Sequence, residues 1–137
     1  MKKFFVLIAL MMLLVSCERI YINGDLDGMW RLQTVETADT VYRPSNIFYS
    51  FQRHLVMLGE HKSEGFPNYY MAVFDRKEDT LRMTNFYKYP PASGVSNSIE
   101  LKKYYIFSDT VDFCIEFLNG EALVMRNGER VYNFIKW

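Results

Sequence analysis

This sequence has few cysteines, prolines and glycines, and it has no excess of charge of either sign. The 137 residues include two cysteines, four prolines and seven glycines, and 16 basic residues balance 16 acidic ones. Without a basic excess there is no charged stripe to bind nucleic acid or an anionic surface. The apolar run from Phe4 to Leu14 is shorter than the roughly 20 residues that a membrane-spanning helix needs.

The start of the chain has the organisation of a secretory signal. Lys2 and Lys3 precede the apolar run, and Leu14-Val15-Ser16-Cys17 follows it. These last four residues resemble the lipobox of bacterial lipoproteins, which implies cleavage before Cys17 and a diacylglyceryl group on its sulfur. We therefore expect a signal peptide over 1–16, a lipidated tether over 17–25 and a folded domain over 26–137. The alternative is an ordinary signal peptide that ends near a cysteine.

The residues after Cys17 bear on localisation. Glu18 stands where lipoproteins that are held at the inner membrane often have aspartate, and no acidic cluster of the kind that marks surface export follows. The resemblance to lipoproteins thus implies an envelope protein, anchored by lipid to the outer rather than the inner membrane and facing the periplasm.

The mature chain is expected to be one domain held by packing alone. Removal of residues 1–16 leaves 121 residues with 14 basic and 16 acidic groups, a net charge of −2. Cys114 is then the only free thiol, which excludes an internal disulfide. Aromatic residues make up 17% of the chain, and such rings suit strands and barrel interiors.

Residue periodicity predicts a mainly β fold. Alternation predicts about seven or eight strands, over 28–36, 47–58 (one bent strand or two), 69–74, 81–87, 112–118, 121–125 and 129–136. Asn-Gly pairs at 119–120 and 127–128 are typical of hairpin turns, and Ser98–Phe107 is the one plausible helix. A meander of this length forms either a sandwich or a closed barrel. We favour the barrel, because closure leaves no exposed edge.

Three stretches resemble one family. Gly28-Met29-Trp30 opens the first strand as in lipocalins and related calycin barrels, an aromatic pattern follows over 47–58, and the chain ends in Phe134-Ile135-Lys136-Trp137. Together they resemble the small lipocalin-like lipoproteins of bacteria over nearly the whole mature chain. The resemblance implies an antiparallel up-and-down barrel, closed at one end by Trp30 beneath a basic side chain. Pairing of the first and last strands would supply Lys136 as that side chain; the alternative is that Trp30 is only a core residue.

Residues that could carry chemistry are few. No Gly-x-Ser-x-Gly motif occurs, and His54 and His61 are seven residues apart. An odd separation places them on opposite faces of a regular strand, so we predict no shared metal site. Cys114 alternates with apolar strand residues and is expected to be unreactive. The sequence therefore predicts a protein that is not an enzyme and has neither a metal nor a cofactor.

Two functions stay open. The one we favour is a membrane-anchored lipoprotein that binds a small apolar or amphipathic ligand inside its barrel. Eight aromatic side chains are the candidates for contact with that ligand: Tyr49, Phe51, Tyr69, Phe74, Phe86, Phe117, Tyr132 and Phe134. The alternative is a structural or interaction lipoprotein with a filled barrel, which docks an envelope protein through an outer face or the Pro90-Pro91 loop. Neither function involves nucleic acid.

Overall fold

The computed structural model describes residues 22–89 and 98–137, together with residues 2 and 3. The rest of the predicted signal peptide, Cys17, most of the tether and the Pro90-Pro91 loop lie outside these ranges. The strands are β1 (Gly28–Glu36), β2 (Val41–Tyr42), β3 (Ile47–Gln52), β4 (Leu55–Glu60), β5 (Tyr69–Lys77), β6 (Thr80–Tyr89), β7 (Val111–Leu118), β8 (Ala122–Asn127) and β9 (Arg130–Lys136). A helix, α1 (Ser98–Leu101), and a 3-10 turn (Lys102–Tyr104) lie between β6 and β7.

Eight of the strands close into a barrel. Each of β3 to β8 pairs with the next strand along the chain, and β1 pairs with both β3 and β9. The β1–β9 ladder is antiparallel and brings Trp30 opposite Lys136 and Leu32 opposite Phe134. The ninth strand, β2, pairs with the last two residues of β1. These pairings confirm the predicted antiparallel up-and-down barrel.

Two details differ from the sequence prediction. The strand count is nine because Val41–Tyr42 forms a two-residue strand, too short for an alternation pattern to reveal. The helix predicted over Ser98–Phe107 is wrong in length, since its α-helical part ends at Leu101. Tyr105 adopts a left-handed conformation, with φ of +62°, and so ends the 3-10 turn that follows.

The core fills the barrel. Successive strand residues point to opposite faces, so every second side chain of each strand lies inside. The buried interior set includes Trp30, Leu32, Tyr49, Phe51, Leu58, Ala72, Phe74, Leu81, Met83, Phe113, Leu123, Met125, Tyr132 and Phe134. Burying this much apolar surface is what stabilises a domain without an internal disulfide.

Candidate functional site

The closed end of the barrel is built from Trp30, Lys136 and the turn before β1. The Trp30 indole N–H donates to the Leu26 carbonyl at 2.8 Å, and its ring is fully buried. The Lys136 ammonium lies 4.4 Å from the Trp30 ring centroid. It also donates to the backbone carbonyls of Asp25, at 3.0 Å, and Asp27. The structure thus brings together the two residues that the lipocalin resemblance predicted as a plug.

Gly28 makes this arrangement possible. Its φ is +122°, a conformation that residues with a side chain rarely adopt. A Cβ at this position would stand 2.8 Å from Lys136 Cε, well inside van der Waals contact. The backbone conformation therefore favours glycine at this position of Gly-x-Trp, and any side chain there would displace the end of Lys136.

Six of the eight aromatic candidates lie in the interior. They are Tyr49, Phe51, Phe74, Phe86, Tyr132 and Phe134, and none is more than 7% exposed. Their rings pack against one another, with centroids 5.0 Å apart for Tyr49 and Phe134 and 5.3 Å apart for Phe51 and Phe74. These rings therefore occupy the space in which a ligand was expected.

The interior placement of Tyr69 and Phe117 is wrong. In β5 the even-numbered residues Tyr70, Ala72 and Phe74 face inwards, so Tyr69 faces outwards and stacks on Tyr89. Phe117 is 51% exposed because the β7–β8 register shifts between Ile115 and Phe117, which ends the alternation.

The end of the barrel opposite Trp30 is covered by residues 98–107, which we call the cap. Three tyrosine hydroxyls from the barrel hold it. Tyr49 donates to the Tyr104 carbonyl, and Tyr132 donates to the Tyr105 carbonyl at 2.6 Å. Tyr70 bonds to the carboxylate of Glu100 on α1. The cap is therefore joined to the barrel by side-chain hydrogen bonds.

Burial keeps these hydroxyls protonated. It raises the pKa of Tyr132 to about 12, and it raises the pKa of Tyr49 well above its usual value, with the nearby Tyr132 as a second cause. The pKa of Tyr70 is also raised, first by burial and then by its bond to Glu100. A protonated hydroxyl is the form that donates to a carbonyl or carboxylate oxygen, so all three hydroxyls can donate at neutral pH.

A cleft of about 350 Å³ opens beside the cap. We call it the cap cleft; it is lined by Val35, Thr37, Tyr42, Lys102, Tyr105, Phe107 and Arg130. The rings of Tyr42 and Tyr105 lie 5.8 Å apart, and the Arg130 guanidinium carbon lies 4.1 Å from the Phe107 centroid. Its volume falls within the range of about 300–1,000 Å³ that is usual for small-molecule sites.

Two larger clefts lie at the closed end and have a different character. Each has a volume of about 450 Å³. Their walls mix both charges, with Asp25, Arg76 and Asp79 in one and Asp75, Arg76 and Glu78 in the other. Aromatic walls with charge of a single sign distinguish the cap cleft from both.

The chain matches the model of a known family. A model of the family described as "Lipocalin-like domain" matches residues 11–137. The chain belongs to this family. A search of curated proteins gave no match.

Solved structures share the fold of this lipocalin-like domain. A lipocalin-like protein from Bacteroides uniformis superposes with a TM-score of 0.67 at 20% identity, over 83% of this chain and 100% of its own. An uncharacterized protein from Bacteroides eggerthii gives 0.67 at 21% identity, over 82% and 99%. A protein from Burkholderia xenovorans gives 0.54 at 15% identity, over 81% and 82%. At these identities the likeness shows the fold alone.

The described part of the lipocalin-like domain offers neither a metal-binding cluster nor a membrane-spanning helix. Within residues 22–89 and 98–137, no group of three or more His, Cys, Asp or Glu side chains is placed to hold a metal ion. None of the helices among the described residues is both long and apolar enough to span a bilayer. His61 lies against the rings of Phe66 and Trp137, on the outside of the barrel.

Sequence reasoning did not identify the cap cleft of this lipocalin-like domain. Tyr42 lies in a two-residue strand, while Lys102 and Phe107 lie in a turn and a loop, so alternation carries no signal for them. Arg130 is the first residue of β9 and therefore lies at the end of the barrel opposite Trp30. The cleft arises only when the cap folds over the end of β1.

Proposed function

We propose that this lipocalin-like domain is a lipid-anchored envelope protein that binds a small apolar or amphipathic ligand at the capped end of its barrel. The observation that carries the proposal is the cap cleft, an aromatic-walled space of about 350 Å³. Ligand sites of this kind have predominantly apolar walls with a few polar groups that fix orientation. Val35, Tyr42, Tyr105 and Phe107 supply such walls.

The dense packing of the barrel supports the cap cleft rather than the interior as the site. Trp30, Tyr49, Phe51, Tyr132 and Phe134 are each at most 2% exposed, so little of their surface is open to a ligand. A small barrel of eight strands can be filled by its own side chains. In this proposal the interior is a rigid scaffold that positions the cap.

The anchor is the lipidated Cys17. Its support is the Leu14-Val15-Ser16-Cys17 sequence after an apolar run, and two or three acyl chains at about 0.8 kcal/mol per buried methylene anchor firmly. We propose the outer membrane, facing the periplasm. Labelled palmitate should enter the wild-type protein and should not enter Cys17→Ala, which should leave the membrane fraction. Labelling of Cys17→Ala, or its retention on the membrane, would contradict the anchor.

We also propose that the protein is not an enzyme and needs no cofactor. Cys114 is exposed on the outer face of β7, where its neighbours Asp112 and Glu116 are each paired with an arginine. Tyr49 and Tyr132 are tied to carbonyls of the cap and are held protonated, so they do not serve as bases. Binding is the activity that this arrangement supports.

Titration with the neutral fluorescent probe N-phenylnaphthylamine tests the site. Tyr42→Ala and Phe107→Ala should each weaken its binding several-fold, because each removes an aromatic wall. Tyr87→Ala is the matched control, since Tyr87 and Tyr42 are each 46% exposed but Tyr87 lies on β6, outside the cleft. No binding by the wild-type protein, or equal loss in all three variants, would refute the proposal.

The alternative function, an interaction lipoprotein with a filled barrel, also has a specific observation in its favour. Outside the barrel, Tyr69 stacks on Tyr89 at 4.9 Å, and Met71 pairs across the sheet with the exposed Tyr87. Native mass spectrometry of the delipidated domain from its host separates the two functions. A retained small molecule supports ligand binding. The alternative is supported if the domain is empty and if cross-linking through Tyr87 joins it to one envelope protein.

A further inference from the structure

We infer that the ligand of the cap cleft is a small organic anion, whose acidic group is bound by Arg130 and Lys102. This inference rests on the proposed function and adds the chemical class of the ligand. It starts from the charged side chains among the described residues that line the cleft, which are of one sign only.

Both ionised side chains that line the cap cleft are cations. Lys102 and Arg130 contribute to its wall, while the other lining residues are uncharged. No ion pair involves either cation within the described ranges, whereas the neighbouring Lys103 is paired with Glu60. Two unneutralised positive charges at the rim of an apolar cleft attract an anion and raise its local concentration.

Arg130 is oriented to bind the acidic group of an anion. Its guanidinium carbon lies 4.1 Å from the Phe107 centroid, so an aromatic surface holds the side chain. The planar guanidinium has five N–H donors in a fork that matches the oxygens of a carboxylate or phosphate. Arg130 is half-buried and donates no side-chain hydrogen bond to any of the described residues. The N–H edges are therefore available to a ligand.

The rest of the cleft suits an apolar body attached to that acidic group. Val35 is fully buried at its base, and Tyr42 and Tyr105 lie 5.8 Å apart at its side. A free inorganic anion would leave these aromatic surfaces uncovered, and a neutral apolar molecule would leave the two cations unpaired. An amphipathic anion covers both parts of the site.

Two probes with one skeleton provide the test. Anilinonaphthalene sulfonate is an anion, and N-phenylnaphthylamine has the same ring system without the sulfonate. We expect the wild-type protein to bind the sulfonate more tightly than the neutral probe, and we expect added salt to weaken the binding of the sulfonate. Arg130→Gln should weaken sulfonate binding about tenfold, the loss expected for a charge-assisted hydrogen bond, and Lys102→Gln should weaken it less. Both variants should lose less affinity for the neutral probe than for the sulfonate, because the neutral probe has no acidic group to pair with the cations.

Arg126→Gln is the control, because it removes a positive charge of β8 that is paired with Glu116, outside the cleft. An equal loss of sulfonate binding in Arg126→Gln and Arg130→Gln would overturn the inference, since only overall charge would then matter. Equal wild-type affinity for the two probes, with no effect of Arg130→Gln, would overturn the inference and leave the proposed function standing. Failure of the wild type to bind either probe would overturn both.

Discussion

Replacement of Gly28 by alanine tests how the closed end of the barrel is held together. The φ of +122° would cost a residue with a side chain about 1–3 kcal/mol. The new Cβ would also stand 2.8 Å from Lys136 Cε and 3.0 Å from its Nζ. The end of a lysine side chain is flexible and can move away. The cost of that movement is the loss of the contacts that the ammonium makes.

The contacts of the Lys136 ammonium determine how much stability is lost when it moves. Lys136 donates to the carbonyls of Asp25 and Asp27 and lies over the Trp30 ring. A charged hydrogen bond contributes about 1.5–3 kcal/mol and a cation–π contact about 0.5–2 kcal/mol. Water would partly replace these contacts in the variant, so the stability lost with them falls to about 2 kcal/mol. With a similar cost for the backbone, Gly28→Ala should lower the free energy of unfolding by about 4 kcal/mol.

A double-mutant cycle followed by urea unfolding separates the two contributions. In a Lys136→Ala background only the backbone cost is left, so Gly28→Ala should cost about 2 kcal/mol there. Gly24→Ala is the matched control, because Gly24 also has a positive φ, of +59°, but its Cβ would meet nothing within 4 Å. Equal destabilisation by Gly28→Ala in both backgrounds would refute the proposed role of Lys136.

Three further predictions concern the core and the cap. Phe51→Ala should lower the free energy of urea unfolding by about 3–5 kcal/mol because Phe51 is buried, whereas Phe117→Ala should lower it by less than about 1 kcal/mol. Similar costs would contradict the placement of Phe51 inside and Phe117 outside the barrel. Tyr49→Phe leaves the Tyr104 carbonyl without its donor and loosens the cap. Amide exchange at Ile106, whose N–H donates to the Leu101 carbonyl within the cap, should therefore accelerate while exchange in β8 does not. The pKa of Tyr132 is about 12 when folded and 10.0 unperturbed, so its contribution to stability is complete below pH 10 and is lost towards pH 12. Tyr132→Phe should therefore flatten the alkaline fall in stability measured by urea unfolding, and an unchanged slope would contradict this.

The fold was predictable because it depends on local patterns that repeat. Alternation identified β1 and the three last strands, and a meander of neighbouring hairpins closes when its first and last strands pair. The opposition of Trp30 and Lys136 followed from that pairing. Each of these inferences uses only the two-residue period of a strand and the order of the strands.

The candidate site was less predictable, for physical reasons that differ between residues. Tyr69 and Phe74 are separated by an odd number, so one regular strand cannot direct both inwards, and the pattern itself held this information. Phe117 lies beyond a register shift, which side-chain alternation does not reveal. The cap cleft depends on tertiary contacts between the cap and β1, which have no sequence period.

The turn at Gly24–Leu26 has a consequence for the orientation of the barrel on a membrane. It crosses the closed end of the barrel, and Lys136 fixes it there through the Asp25 carbonyl. If Cys17 carries the lipid, the five residue steps from it to Ile22 span at most about 17 Å. The barrel would then stand on the membrane with Trp30 towards the lipid headgroups, and the rim formed by Lys102 and Arg130 would open to the aqueous compartment.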